Sequence, residues 1–320
     1  MDFNERCATP FAVDPHKRVS YSYGLVLGVG EFRTEQSYLL EKHRRHARSL
    51  HGYGTVAGLA VSVRDTVNGP ELRVSPGLAI DPKGREICVP EAQCALLNDW
   101  LLQRRQAGEF SPPLDTSPPT QVTAYVTLCY RECETDKVPI PVGPCHSLDK
   151  SSVASRIQDA FELRLTETPP AQVEEDAMRG LAAIMARVST GTGPGALTTP
   201  DPLVAEIRAL APDQSPPAIT GSMPPDFVLD PAHADAIVST ALRVFVTEVR
   251  PLLVPEGGGC LDGPRDPTCV LLAQVGFDID EVGGVPQVAG AVHIGEDARP
   301  LLLSTRTLQA LAGYAGGGQP

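Results

Sequence analysis

Residues 29–63 read VGEFRTEQSYLLEKHRRHARSLHGYGTVAGLAVSV, and a change of period inside this stretch decides the fold class. From Glu31 to Leu50, Phe32, Gln36, Leu39, Leu40, His43, Ala47 and Leu50 recur at helical spacing. Glu31 and Glu35 lie near the start, and Lys42, Arg44, Arg45, His46 and Arg48 toward the end, a polarity that suits the helix dipole. Gly52 and Gly54 then stop the helix. Twenty residues at 1.5 Å each predict a helix of about 30 Å with one apolar face and a basic outer surface.

After this helix the period falls to two. VAGLAVSV, 56–63, predicts a strand. Leu72 and Val74 alternate with Arg73 and Ser75, Leu78 and Ile80 continue the pattern, and Ile87 and Val89 form a return strand. Asp81-Pro82-Lys83-Gly84 has a turn's residue order, with proline second and glycine fourth. Residues 55–90 therefore predict a small antiparallel sheet whose apolar face is covered by the long helix, since neither surface is stable alone. ALLNDWLLQRR, 95–105, predicts a short helix carrying the only tryptophan, Trp100.

Further along, QAGEFSPPLDTSPPT (106–120) is a Pro-rich connection, and TAYVTLCYREC predicts a strand with Ala124, Val126, Leu128 and Tyr130 on one face. Residues 152–165, SVASRIQDAFELRL, are read as a helix running into a strand, and 171–189 as a helix with acids early and Arg187 late. Residues 190–228 are poor in periodicity and rich in Gly, Pro and Thr, with one short helix at 201–210. Asp230-Pro231 supplies a cap and a first-turn proline for a helix reaching Val249. CVLLAQVGFDI and VPQVAGAVHI predict strands around a Gly283-Gly284 turn. A last short helix covers 301–311, and GYAGGGQP is expected to fray.

These elements give an α+β fold: a long N-terminal amphipathic helix, small antiparallel sheets, several helices and long Gly/Pro-rich loops. The expected division is a helix-plus-β domain at 1–105, a linker at 106–120 and an α+β segment at 121–189. An irregular arm or insertion at 190–228 follows. Residues 229–311 are expected to pack with 121–189, and 312–320 form a flexible tail.

The 320 residues are 42% apolar and 21% charged, enough for a substantial core and against global disorder. With 39 acidic against 27 basic side chains the net charge is -12, which argues against nonspecific nucleic-acid binding. The first 24 residues carry interrupting acids and no apolar run follows them, so no signal peptide is read there. No uncharged run approaches the roughly 20 residues of a membrane helix, and the expected location is cytoplasmic, or within a particle released later.

Three groups of residues invite a chemical reading. His43 and His46 sit on neighbouring positions of one helical turn, but a catalytic zinc site needs a third ligand, and Lys42, Arg44, Arg45 and Arg48 make a poor field for a cation. Cys133, Cys145, Cys260 and Cys269, all in or beside loops, form a candidate structural zinc set, with disulfides or plain buried thiols as the alternatives. Glu132, Glu134, Asp136, His146 and Asp149 contain acid-base types but also read as a polar loop, and no spacing pairs a nucleophile with a base. There is no C-x-x-C, P-loop or G-x-S-x-G. No catalytic residue and no cofactor beyond that zinc set is assigned.

Residues 21–63, YSYGLVLGVGEFRTEQSYLLEKHRRHARSLHGYGTVAGLAVSV, resemble the opening of a family associated with phage-tail-like contractile injection systems. The family pattern has an aromatic-Gly-Leu-Leu start, then D-F-x-x-E-Q-x-Y, a basic R-x-H stretch and H-G-x-G-V-V-x-G-L. The matching positions are Leu25 to Leu27, Phe32, Glu35, Gln36, Tyr38, Arg45, His46, His51, Gly52, Gly54, Val56, Gly58 and Leu59. Glu31, Thr55 and Ala57 depart from it mildly. Residues 74–89, 130–145, 155–165 and 269–275 are also similar to family stretches, whereas 190–228 is not.

The resemblance implies a structural or adaptor part of a contractile tail, a baseplate or cap-adaptor subunit, with no enzymatic activity. Its partners would be copies of itself and other tail or baseplate proteins, without nucleic acid or membrane insertion. The interaction residues expected on this reading are Phe32, Glu35, Gln36, Tyr38, Lys42, His43, Arg45, His46 and Arg48. The competing readings are a metal-dependent hydrolase of cell-wall material, and a glycan- or receptor-binding module. The second is disfavoured by an aromatic content of only 5%.

Overall fold

The structure is a computed structural model that describes residues 14, 16–108, 120–139, 152–211, 226–253 and 269–316. The chain falls into two compact units, Met1–Pro170 with Asp262–Pro320, and Ala171–Leu261. The expected segment 121–189 is thus divided, with 171–189 belonging to the second unit. The second unit is an insertion in the chain of the first.

The first unit opens with helix α1, Val29–His51. Glu31 accepts the Gly28 backbone N–H at its start, and Gly52, at φ 82°, donates to the Arg48 carbonyl at its end. The expected single strand at 56–63 is two: β1 (Gly54–Gly58) and β2 (Val61–Thr66), which belong to different sheets. The break lies where Gly58 and Leu59 take φ of 67° and 56°, a left-handed pair that turns the chain out of one sheet and into the other. Strands β3 (Gly69–Val74), β4 (Gly77–Ile80), β5 (Glu86–Val89) and β6 (Gln93–Leu96) follow. They complete two three-stranded antiparallel sheets, β1-β4-β5 and β2-β3-β6. Helix α2, Leu97–Gln106, carries Trp100.

Strands β7 (Thr120–Pro139) and β8 (Ser152–Thr166) pair antiparallel along nearly their whole length. The expected helix at the start of 152–165 is therefore strand. Pairing with β7 overrides local propensity, and Phe161, Leu163 and Leu165 alternate onto the core.

The second unit contains α3 (Val173–Ala186), β9 (Val188–Thr190), α4 (Asp201–Arg208), β10 (Phe227–Leu229) and α5 (Ala234–Val244). A π turn at Phe245–Val249 leads into the single turn α6, Arg250–Leu253. The helix expected from Asp230 starts later, because Asp230 turns its carboxylate to the Ala232 N–H and the His233 ring. In the described part of 190–228, Leu203, Val204 and Ile207 are buried, and the Leu197 N–H donates to Val228 beside the parallel pair β9–β10. Leu181, Ile184, Phe227, Leu229, Ile237 and Phe245 complete this core. A two-pronged Arg208–Glu248 pair at 2.7 and 3.2 Å ties α4 to the π turn.

The chain then returns to the first unit as β11 (Cys269–Val282) and β12 (Val285–Gly295), giving one sheet in the order β12-β11-β7-β8. Val126, Leu128, Val270, Leu272, Val275 and Phe277 line its core face. They pack with Leu72, Val74, Ile87, Leu97 and Leu101 from the β2–α2 region. Trp100 sets its edge toward Phe277, 6.4 Å between ring centres, and donates from Nε1 to the Leu165 carbonyl. The long helix does not cover this core, contrary to the sequence expectation. Helix α2 and the four-stranded sheet do.

Helix α7, Thr305–Gly316, ends the described chain and takes in residues expected to fray. Among the described residues no helix is long and apolar enough to cross a membrane.

Two features hold the first unit together. Cys129 and Cys269, directly opposed on β7 and β11, form a disulfide across 140 residues of sequence. Gly58 and Gly77 let two backbones meet: a Cβ on Gly58 would lie 2.1 Å from the Pro76 carbonyl oxygen. Gly58→Ala is expected to lower stability by about 3 kcal/mol, combining left-handed strain with overpacking, measured as a shift of the urea midpoint. Reduction, or Cys129→Ser, is expected to lower it by about 3–5 kcal/mol because the crosslink closes so long a loop. Comparison of urea midpoints with and without reductant checks the second value.

Candidate assembly surface

Helix α1 meets the body through its polar side. Glu41, Arg44, Arg45 and Arg48 are half-buried, together with the buried Ala47, whereas the apolar residues point to solvent. Val29 is 68% exposed, Phe32 62%, Leu39 59% and Leu50 68%. The sequence expectation of an apolar face inward and a basic face outward is reversed.

The seat of α1 is built from a turn and a strand. The turn after β4 closes on Asp81, which has no exposed surface. Its carboxylate accepts the N–H groups of Lys83 and Arg85 at 2.9 and 2.8 Å, and Arg85 Nε at 2.6 Å. Burial pushes the Asp81 carboxyl up from its ordinary range, against the opposing pull of Arg85. Gly84, at φ 80° in this turn, lies directly beneath α1, where an added Cβ would come within 2.2 Å of the Arg44 carbonyl oxygen.

Strand β7 supplies the rest of the seat. Glu132 reaches Arg44 at 3.7 Å, and the Tyr130 hydroxyl donates to Glu132 at 3.0 Å and also contacts Asp159. The Arg85 guanidinium covers the Tyr130 ring at 4.3 Å. Burial, with these two carboxylates as the next cause, raises the Tyr130 hydroxyl well above the ordinary phenol range, so it stays a donor at neutral pH.

The helix is also fixed at both ends. At its start, the Val19 N–H donates to Glu35 at 3.2 Å, so the preceding segment folds back along the helix. That segment exposes Tyr21, Tyr23, Leu25, Val26 and Leu27. At its end, the Thr55 N–H donates to the Pro300 carbonyl and Leu302 returns a bond to Thr55. Arg299, 8% exposed, threads between them, donating to Thr55 Oγ1, the Gly58 carbonyl and Glu296. This clamp places the end of α1 beside the segment leading into α7, whose Leu308 and Leu311 are also exposed.

Of the residues expected to interact, Phe32, Gln36, Lys42, His43 and His46 are exposed along α1, and Glu35, Tyr38, Arg45 and Arg48 are half-buried. Lys42 rests over the Tyr38 ring and Arg45 pairs with Glu41 at 3.6 Å. Sequence reasoning assigns Leu39 and Leu50 to the core and so misses them at this surface, although their spacing carries the signal. It also gives Arg44 no specific partner.

The second exposed feature is the distal half of the β7–β8 hairpin. Beyond Cys129 the strands pair only with each other among the described residues. Ten residues of β7 there span about 33 Å, exposing Val138, Val153 and Ile157. Cys133 is exposed and unbonded on this ribbon. The expected set of Cys133, Cys145, Cys260 and Cys269 is corrected in one member: the Cys269 sulfur is bonded to Cys129, which removes it as a thiolate ligand here. Cys145 and Cys260, like His146 and Asp149, lie outside the described residues. Among the described residues no group of three or more His, Cys, Asp and Glu side chains is placed to hold a metal ion, and His43 and His46 gain no third ligand. An open groove of about 630 Å³ in the second unit, between β9 and α5, is lined by Thr190, Asp235 and Ser239 among apolar residues.

No family model matches the chain, and no curated protein does. Solved structures do. "Crystal structure of TssK" matches at 15% identity, over 48% of this chain and 34% of that one, with a TM-score of 0.24. A chain of "The baseplate complex from the type VI secretion system" matches at 14% identity, over 48% of this chain and 50% of that one, TM-score 0.26. A chain of the "TssK-TssF-TssG baseplate subcomplex" matches at 11% identity, over 70% and 86%, TM-score 0.26. The chain thus spans about a third and a half of the first two, and overlays this loose carry no weight for function.

Gly84→Ala is expected to push α1 off its seat without opening the core. Limited proteolysis within 29–51 should accelerate severalfold, while the near-ultraviolet signal of Trp100 stays unchanged. Asp81→Ala removes the carboxylate that organises the same turn and strands a half-buried guanidinium, so it should cost about 3 kcal/mol in chemical denaturation.

Proposed function

We propose that this chain is a structural or adaptor subunit of a contractile, phage-tail-like injection particle, acting by protein–protein assembly. The observation that carries the reading is the outward apolar stripe of α1. Four large apolar side chains on one helix, each more than half exposed, are held outward by a built seat of ion pairs and turns. A stripe of this size on a folded chain marks a contact surface. The resemblance of residues 21–63 to the injection-system family gives that contact its setting.

On this reading Phe32, Gln36, Lys42, His43 and His46 form the exposed part of the contact, and Glu35, Tyr38, Arg45 and Arg48 hold the helix behind it. The exposed β7–β8 ribbon is a second contact, since an isolated two-stranded hairpin is marginal in water and gains stability by pairing. The partners are copies of this chain and neighbouring baseplate or tail-end proteins, assembled in the cytoplasm and carried within the released particle. Among the described residues the stripe lies on a convex helix surface without a convergent acid-base pair beside it, which suits recognition better than turnover.

The test uses the native particle. The tagged full-length chain, expressed in its own host, should co-sediment with sheath and tube proteins through a density gradient. A cryo-EM map should show α1 covered. Recovery of the chain wholly in the free fraction, with particles assembling normally in a deletion strain, overturns the reading.

A further inference from the structure

The exposed face of α1 is more regular than a generic apolar patch. Val29, Phe32, Gln36, Leu39, His43, His46 and Leu50 follow one another at steps of three, four, three, four, three and four, and all seven are exposed. These steps have the 3.5-residue period of a coiled-coil a/d seam, with Gln36, His43 and His46 as its polar members and exposed Leu40 beside it. None of the seven is an Asp, Glu, Lys or Arg, although eight such residues lie elsewhere on the helix. Glu31, Thr34, Ser37, Tyr38, Glu41, Arg44, Arg45 and Arg48, all half-buried, occupy the opposite side, while half-buried Glu35 and buried Ala47 flank the seam. The seven seam residues themselves stay open to solvent.

We infer that this seam pairs α1 with the α1 of a second copy of the chain, antiparallel, about a two-fold axis between Ser37 and Tyr38. Charge selects both the occupant and the direction. Over 29–37, Glu31 and Glu35 outweigh Arg33, for a net charge of −1; over 38–46, Lys42, Arg44 and Arg45 outweigh Glu41, for a net charge of +2. A parallel pair sets the two basic halves together. An antiparallel pair sets each basic half against an acidic one and brings Lys42 of each copy to the flank that carries Glu35 of the other.

The layers agree. With 36 opposite 39, the antiparallel register stacks Gln36 on Leu39, Phe32 on His43 and Val29 on His46, each twice by symmetry. Every polar seam residue then meets an apolar one. A parallel register would instead stack His43 on His43 and His46 on His46 within the basic half.

This proposal deepens the assembly reading and rests on it for its setting, but its test is separate. The purified full-length chain is expected to run as a dimer, twice its 34.0 kDa, in light scattering after size-exclusion chromatography at micromolar concentration. Leu39→Asp should return it to monomer with unchanged far-ultraviolet circular dichroism and melting, because Leu39 is exposed in the single chain. Direction is read by crosslinking, in a background with every cysteine except Cys129 and Cys269 changed to serine. Mixed Val29→Cys and His46→Cys chains should give a 29–46 disulfide on mild oxidation, mapped by peptide mass spectrometry, well above any 29–29 product.

A monomer in the wild type, a dimer that survives Leu39→Asp, or a dominant 29–29 link overturns the proposal. If the chain is monomeric yet resident in the injection particle, only this pairing fails. If it dimerises as stated but never enters the particle, only the particle reading fails.

Discussion

A helix joined to a small body can lean on it through one side only, and in α1 that side carries the charge. The Arg44 carbonyl rests on Gly84, Arg44 reaches Glu132, and the turn holding Gly84 is drawn tight by the buried Asp81 carboxylate. An exposed ion pair contributes little by itself, about 0–1 kcal/mol. The close backbone approach over a residue without a side chain is what fixes the distance. Everything outward of this seat depends on it. With the polar side occupied, the uncharged seam has nowhere to go but solvent. Burying the exposed remainder of each of Phe32, Leu39 and Leu50 is worth about 1–2 kcal/mol, which the isolated chain does not gain.

The first unit shows the same economy of pairing. Strand β7 is its axis: β8 lies on one edge from Tyr125 to Pro139, β11 on the other only as far as Cys129, and the disulfide sits where the second neighbour begins. The proximal half of β7 is therefore core, with Ala124 and Leu128 fully buried, and the distal half, once past Tyr130 and Glu132 in the seat of α1, is an exposed ribbon. One strand thus serves two roles, set by how many neighbours it has.

Much of this is legible in the residues. The extent of α1, the Asp81–Gly84 turn, the short helix with Trp100 and the apolar run after Cys269 all follow from spacing and turn chemistry. Other features are not. Residues 152–160 carry no clean alternation, and only the long-range partner β7 makes them strand. The break at Gly58 and Leu59 needs a left-handed leucine, which local propensity disfavours and the contact with Pro76 imposes. The direction in which α1 faces is hidden because a periodic apolar stripe looks much the same in sequence whether it covers the body or a partner. For the cysteines, the pairing of 129 with 269 depends on strand register, which no count or spacing reveals.

The insertion of the second unit has a modular consequence. The chain leaves the sheet after Thr166, opposite Tyr125, and re-enters it at Cys269, opposite Cys129. Those two points flank the same strand four residues apart, a gap of about 17 Å, which five or six extended residues can bridge. The sheet therefore needs only its ends kept within that reach. Related chains could carry a larger lobe, a smaller one or a plain loop at this position while keeping the helix and its seat intact.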